Sequence, residues 1–179
     1  MDTVTHDGRT TAYRVVEGDG AGPATLYVHG SGGSHQAWAH QYAPSGPAHP
    51  ATALDLSGHG ESDDVDGSRL DDAENTDVLD AYARDVVAVA NAIDADVLVG
   101  NSMGGAIVLH LALQAAGVTE AVGAEEEEAE EATADGIDLH GIVLAGTGAH
   151  LPVDETLRTL LAEDFEEAIA VLHGEAALF

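Results

Sequence analysis

One serine in this sequence stands in a pattern that suits nucleophilic chemistry. Ser102 has Gly100 two residues before it and Gly104 two residues after it, and the apolar run 97–99 precedes the pattern. A helix-forming run, 106–109, follows at once. A strand that turns sharply into a helix would expose the serine hydroxyl above a sheet edge, and the glycines would let strand and helix approach closely. We therefore predict that Ser102 is a nucleophile rather than a structural serine in a tight turn.

Two upstream motifs also place small residues and glycines after a predicted strand. Residues 26–33 read LYVHGSGG, and residues 53–62 read ALDLSGHGES. Four residues follow the ends of predicted strands: Ser31, Asp55, Ser102 and Gly146. In open α/β sheets, ligands bind beyond the carboxyl ends of the strands. We therefore expect these four positions to gather at one rim.

The elements that would position these residues alternate between strand and helix. Strands are predicted at 11–16, 25–29, 51–56, 96–100 and 139–145. Helices are predicted at 35–42, 78–93, 104–116, 153–161 and 164–172. This alternation indicates parallel βαβ units and an α/β fold. We interpret 62–77 as an acidic loop and 121–136, with its run of glutamates, as a solvated acidic insertion.

The three motifs, in this order, closely resemble the α/β-hydrolase superfamily. They match its esterase-like branch, which carries HG-x-x-G, D-x-x-G-H-G-x-S and G-N-S-M-G-G, and the resemblance covers about residues 10 to 175. It implies the α/β-hydrolase fold, a mostly parallel sheet with helices on both faces, in a single domain over 1–179. The last strands and most of the lid are expected to be missing, with 151–179 as the start of the lid.

The resemblance also implies roles for individual residues. Ser102 would attack a carbonyl carbon and form an acyl-enzyme that water then cleaves. The backbone N–H groups of Met103 and Ser31 would hold the oxyanion. The glycines of the elbow and of the upstream loop would allow close backbone approach: Gly30, Gly100 and Gly104.

Three further residues are candidates for the surroundings of the site. His29 lies in the first loop motif, where the family's histidine is usually structural, and it could also border the pocket, as could His150. Trp38 could line the acyl pocket, although a core role is equally open. Asp55 is expected to order its own turn by accepting local N–H groups.

The acid and the histidine of a triad are not evident in the sequence. In this fold the triad order is serine, acid, histidine. Four histidines follow the nucleophile: His110, His140, His150 and His173. Of these, His150 alone follows a predicted strand end and is predicted near the site. An incomplete sheet would also expose a strand edge, which predicts marginal stability and association.

The leading hypothesis is therefore a serine hydrolase that cleaves an ester or related acyl bond of a small molecule. A serine nucleophile argues against haloalkane dehalogenase and epoxide hydrolase chemistry. Carbon–carbon bond hydrolases, haloperoxidases, thioesterases and acyltransferases stay open. The alternative is a non-catalytic remnant or interaction module that lacks the triad acid and histidine. No cofactor and no metal are expected.

The charge of the chain is extreme. There are 33 acidic residues against five arginines, no lysine, and a net charge of −28. High-salt adaptation, in which salt screens self-repulsion, explains this better than disorder or a cation-binding surface. Clustered basic residues for nucleic acid are absent. With no cysteine and no apolar segment of membrane-spanning length, we expect a cytoplasmic protein that binds no membrane, of open oligomeric state.

Overall fold

The computed structural model describes residues 1–18, 22–41, 49–65, 75–116, 137, 139–148, 155–164, 167–168 and 171. The chain divides into two compact units, Met1–Thr147 and Gly148–Phe179. Among the described residues, no helix is both long and apolar enough to cross a membrane. The acidic insertion predicted at 121–136 lies outside them, as does His150.

In its described residues, the first unit contains a six-stranded sheet and two long helices. Its strands are β1 (Asp2–His6), β2 (Arg9–Val16), β3 (Thr25–Val28), β4 (Ala51–Leu54), β5 (Val97–Asn101) and β6 (Gly141–Ala145). Its helices are a 3-10 helix (His35–Trp38), α1 (Asn75–Ala92) and α2 (Met103–Ala115). The second unit contains α3 (Glu155–Glu163), and residues 167, 168 and 171 are also helical.

The strand order is β1-β2-β4-β3-β5-β6. The β1–β2 and β2–β4 pairs are antiparallel, and the β4–β3, β3–β5 and β5–β6 pairs are parallel. The predicted α/β class with a mostly parallel sheet is therefore confirmed. Every residue of β3 and β4 is buried, as expected for central strands covered on both faces.

The N-terminal strand was not predicted. The β1–β2 hairpin turns at Asp7 and Gly8, whose φ angles of 48° and 76° are both positive. Two positive φ angles define the tight hairpin turn that Asp-Gly favours, so the sequence did carry this signal. Some other bounds also differ: the predicted helix at 35–42 is a 3-10 helix of four residues, and α1 begins within the predicted loop 62–77.

The two faces of the sheet have separate apolar clusters because side chains alternate along a strand. Leu26 and Val28 of β3 belong to the larger cluster, which includes residues of α1 and α2. Tyr27, between them, belongs to the smaller cluster with Ala51 and Ala53 of β4. The two long helices thus cover one face, and the 3-10 helix contributes to the other.

A buried ion pair joins the N-terminal hairpin to α1. Arg9 of β2 donates to the fully buried Asp85 of α1 over 2.8 Å, and Ser57 donates to the same carboxylate through its backbone N–H (2.8 Å) and its hydroxyl (3.0 Å). Burial raises the pKa of Asp85, but hydrogen bonds from His6 and Ser57 and the charge of Arg9 outweigh it, so the pKa is lowered. This cluster fixes the loop after β4, which borders the site.

The last strand of the sheet, β6, carries exposed apolar side chains. It pairs with β5 on one side and ends the strand order. Val143 is 50% exposed and Leu144 is 39% exposed, both unusual for a strand of a parallel sheet. Among the described residues, β6 is thus an edge strand with a partly uncovered face.

Candidate functional site

Ser102 occupies the junction between β5 and α2 in a rare backbone conformation. Its φ of 53° and ψ of −117° lie outside the left-handed well that non-glycine residues can enter. Its N–H donates to the Ala145 carbonyl oxygen of β6 over 2.9 Å. Its carbonyl oxygen accepts from the N–H of Ala106 (3.1 Å) and from the hydroxyl of Thr147 (2.7 Å). The surroundings hold this conformation, and the residue is exposed.

The glycines around Ser102 are required by close backbone contacts. A Cβ on Gly100 would overlap the backbone of Gly104, and a Cβ on Gly104 would overlap the carbonyl oxygens of Val28 and His29. The strand β3, the strand β5 and the first turn of α2 therefore approach one another through main chain alone. Any side chain at these positions would displace the backbone of Ser102.

The loop 30–33 lies directly beside Ser102. A Cβ built on Gly30 would lie 3.1 Å from Ser102 Cβ and 3.3 Å from the Asn101 carbonyl oxygen. Ser31 follows in this loop and is exposed. On the other side, Met103 is the first residue of α2, where backbone N–H groups have no partner within the helix. The structure thus brings both predicted oxyanion positions to the rim that holds Ser102.

Asp55 ties two loops of this rim together. Its fully buried carboxylate accepts from the backbone N–H of His35 (2.6 Å), the ring of His35 (2.9 Å) and the backbone N–H of Glu61 (3.0 Å). Burial raises the pKa of this carboxyl group, but these hydrogen bonds outweigh it and lower the pKa. The hydrogen bond from Glu61 agrees with the expectation that Asp55 orders its own turn. The hydrogen bonds from His35 show that Asp55 also holds the 3-10 helix.

His29 is a structural histidine. It is fully buried, its Nδ1–H donates to the Gly30 carbonyl oxygen over 2.7 Å, and its Nε2 accepts from the Leu56 N–H over 3.1 Å. Burial lowers its pKa, which favours the neutral ring. Both ring nitrogens bind main chain and no part of the ring is exposed, so this geometry favours the structural reading of His29 over a place beside the pocket.

Trp38 is partly buried and packs against the smaller apolar cluster. Its ring lies 5.0 Å from the ring of Tyr27, centroid to centroid, against the small cluster of β3 and β4. These contacts fit the core role, and a place of Trp38 in the acyl pocket stays a prediction. Met103, partly buried, packs against the larger cluster.

The two described histidines that follow Ser102 in the chain serve elsewhere. His110 pairs with Asp80 of α1 over 2.7 Å. His140 precedes β6, at the end of the strand opposite the rim, and pairs with Asp96 over 3.3 Å. His150 and His173 lie outside the described residues. In the part of the chain that the structure describes, no group of three or more acidic or histidine side chains could hold a metal ion.

Thr147 is a site residue that the sequence analysis missed. Its hydroxyl donates to the Ser102 carbonyl oxygen, and its side chain fills the space that a Cβ on Gly105 would take. Thr147 lies two residues after the end of β6. Between them, Gly146 lies beside Asn101: a Cβ built on Gly146 would be 3.3 Å from Asn101 Oδ1. The signal that could have found it is a hydroxyl residue shortly after a strand that neighbours β5, the strand before Ser102.

A family model and a curated protein both match this sequence. A family model described as the alpha/beta hydrolase family matches residues 26–177. Protein phosphatase methylesterase 1 of Mus musculus is 37% identical over 109 residues, which cover 56% of this chain and 26% of that protein.

Two solved structures are 25% identical to this chain with TM-scores of 0.63. One is a putative aryl esterase from Burkholderia cenocepacia, matched over 92% of this chain and 55% of its own length. The other is a hydrolase from Pseudomonas aeruginosa, matched over 96% of this chain and 57% of its own length. The chain thus spans little more than half the length of these structures and about a quarter of the curated relative. Because the family model matches most of the chain and the sheet places Ser102 between β5 and α2, the chain belongs to the alpha/beta hydrolase family.

Proposed function

We propose that this chain carries the nucleophile and the oxyanion donors of a serine esterase. Ser102 Oγ attacks the carbonyl carbon of a small ester, the alcohol leaves, and the acyl group stays on Ser102 until water releases it as a carboxylic acid. The observation that carries the proposal is the backbone conformation of the exposed Ser102, at φ 53° and ψ −117°. Such strain persists where the surroundings hold a residue for a function.

The oxyanion donors of the proposal lie on either side of the nucleophile. Met103 is the first residue of α2, and the dipole of the helix favours negative charge near the N–H of this residue. The N–H of Ser31 belongs to the loop 30–33, which lies against Ser102. Together they would stabilise the negative charge that develops on the carbonyl oxygen during attack.

A serine nucleophile needs a general base, and the proposal takes His150 as the candidate within this chain. That assignment rests on the sequence, where His150 follows β6 by five residues. Since His110 and His140 pair with carboxylates elsewhere, they are not candidates. Without a base, the remaining rate enhancement would come from the oxyanion donors and substrate binding alone.

The substrate class of the proposal is a small-molecule ester. The mouse relative is named a methylesterase and the Burkholderia structure a putative aryl esterase, and both names support ester chemistry. We also propose that the protein works in a salt-adapted cytoplasm, because a net charge of −28 needs strong screening. Assays therefore belong in multimolar potassium chloride.

The test is covalent labelling of Ser102 with a fluorophosphonate, with circular dichroism as the check on folding. We expect one adduct, located by mass spectrometry on Ser102 and absent from Ser102→Ala. Thr5→Ala is the matched control and should label like the wild type, because Thr5 is an exposed hydroxyl residue of β1, at the opposite edge of the sheet from β5 and β6. Incubation with p-nitrophenyl acetate should leave an acetyl group on the same residue. His150→Gln should label more slowly if His150 is the base.

A folded wild-type chain that takes up no label would contradict the proposal. The alternative, a non-catalytic member of the fold, would then account for the sequence better. That alternative is favoured by one observation, the engagement of His110 and His140 with distant carboxylates.

A further inference from the structure

The loop 30–33 owes its shape to hydrogen bonds at both of its ends. The Gly33 N–H donates to the Gly30 carbonyl oxygen over 3.1 Å, which closes a tight turn. Gly32 has a φ of 68°, which a side chain would disfavour. Ser31 lies between Gly30 and Gly32, so the contacts that hold these two glycines also set the direction of the Ser31 N–H.

His29 fixes the first end of this loop. Its Nδ1–H donates to the Gly30 carbonyl oxygen, and its Nε2 accepts from Leu56 of the neighbouring loop. The ring is fully buried and takes its tautomer from these two partners.

His59 fixes the second end in the same manner. Its Nε2 accepts from the Gly32 N–H over 3.2 Å, and its Nδ1–H donates to the Ser57 carbonyl oxygen over 2.9 Å. The rings of His29 and His59 lie 5.0 Å apart, and the ring of Tyr82 in α1 meets His59 edge-on at 6.2 Å. The loop after β4 thus supports the loop after β3 through one imidazole nitrogen.

We propose that His59 is a positioning residue, which holds the loop 30–33 beside Ser102 by accepting the Gly32 N–H. The consequence for catalysis rests on the proposed function, because it assumes that this loop supplies an oxyanion donor. In this role His59 acts through Gly32 on the neighbouring Ser31. The structural part of the proposal, the hold on Gly32, stands apart from any activity.

Two substitutions separate the hydrogen bond from the bulk of the ring. His59→Phe keeps an aromatic ring against His29 and Tyr82 but removes the acceptor. His59→Gln places an amide oxygen as many bonds from Cα as Nε2 is, so it can accept from Gly32. His140→Phe is the matched control, since His140 lies at the opposite end of the sheet.

The first measurement is amide hydrogen exchange at Gly32 by NMR on the full 179-residue chain in concentrated salt. We expect His59→Phe to speed exchange at Gly32 by roughly three- to tenfold, His59→Gln to restore most of the protection, and His140→Phe to change nothing there. A nitrogen–nitrogen coupling across the hydrogen bond should join Gly32 N to His59 Nε2 in the wild type. Equal exchange in the wild type and His59→Phe would overturn the proposal.

The second measurement is the rate at which a fluorophosphonate labels Ser102. It should fall in His59→Phe and recover in His59→Gln, with His140→Phe at the wild-type rate. Wild-type labelling speed in His59→Phe, with Gly32 freed, would overturn the positioning role. If the wild type takes no label while Gly32 exchange still depends on His59, the proposed function fails and the hold on the loop stands.

Discussion

The backbone conformation of Ser102 predicts that glycine at this position stabilises the fold. Ser102 has a φ of 53° and a ψ of −117°, a backbone conformation that residues with a Cβ rarely adopt. Ser102→Ala removes the hydroxyl and keeps that strain, whereas Ser102→Gly removes both. The two variants therefore differ in the strain at the nucleophile and in the freedom of the unfolded chain.

The size of the effect follows from two opposing contributions. Holding a residue in such a region costs about 1–3 kcal/mol. Glycine loses more conformational freedom on folding than alanine, which offsets about 0.5–1 kcal/mol of the gain. We therefore expect Ser102→Gly to be more stable than Ser102→Ala by about 1 kcal/mol. For a chain of this length, that corresponds to a rise in Tm of about 2–4 °C.

The assay is reversible denaturant unfolding in multimolar salt, supported by thermal scans. Ala106→Gly, in the first turns of α2, is the control in which glycine should destabilise by about 1 kcal/mol. The opposite sign at Ser102 and Ala106 is the signature of local backbone strain. If Ser102→Gly is no more stable than Ser102→Ala while Ala106→Gly behaves as expected, the strain argument is refuted.

Three more predictions concern buried charge, acid stability and packing. Asp85→Asn should lower the free energy of unfolding by about 3–5 kcal/mol at neutral pH, because Arg9 loses its buried carboxylate. Since the folded-state pKa of Asp85 is lowered, its contribution is present above its unfolded pKa of about 3.9 and is lost as the pH falls through the folded value. Denaturant titrations at several pH values should therefore show the wild type and Asp85→Asn converging in acid, and a gap that widens there would contradict this. Burial lowers the pKa of His29, so its contribution is present above about 6.5 and is lost as the pH falls. Thermal scans of the wild type should therefore show stability declining from about pH 6.5 downwards, with a shallower decline in His29→Gln; equal slopes would exclude His29 as the cause. Gly104→Ala should destabilise by about 1–3 kcal/mol, because its Cβ would overlap the carbonyl oxygens of Val28 and His29 at the end of β3. Wild-type unfolding behaviour would count against the close approach of α2.

The sequence could predict the fold class because the strands that decide it are strongly patterned. The apolar runs of β3, β4 and β5 each end at small or polar residues, which marks both the strand and its carboxyl end. The parallel pairing of β3 with β4 and β5 then places Ser31, Asp55 and Ser102 at one rim. That part of the site follows from order along the chain alone.

Other features depend on contacts that no local pattern encodes. The role of His59 requires that its ring reach Gly32, 27 residues earlier in the chain, and nothing in either segment specifies that distance. The pairing of Arg9 with Asp85 likewise joins residues 76 positions apart. The 3-10 helix begins at His35, and its first residue is held by hydrogen bonds to Asp55, 20 positions later in the chain.

The packing of three strands holds Ser102 in its strained conformation, and the Gly-x-Ser-x-Gly pentapeptide alone would not hold it. Its N–H is held by Ala145 of β6, and its carbonyl oxygen is held by Thr147. Gly104 presses against the main chain at the end of β3. Because these contacts come from the strands on either side of β5, a free peptide of the same sequence would relax to an ordinary turn. The pattern therefore predicts the strained serine only where a strand precedes it and a helix follows. The residues that flank the pattern in this chain specify that setting.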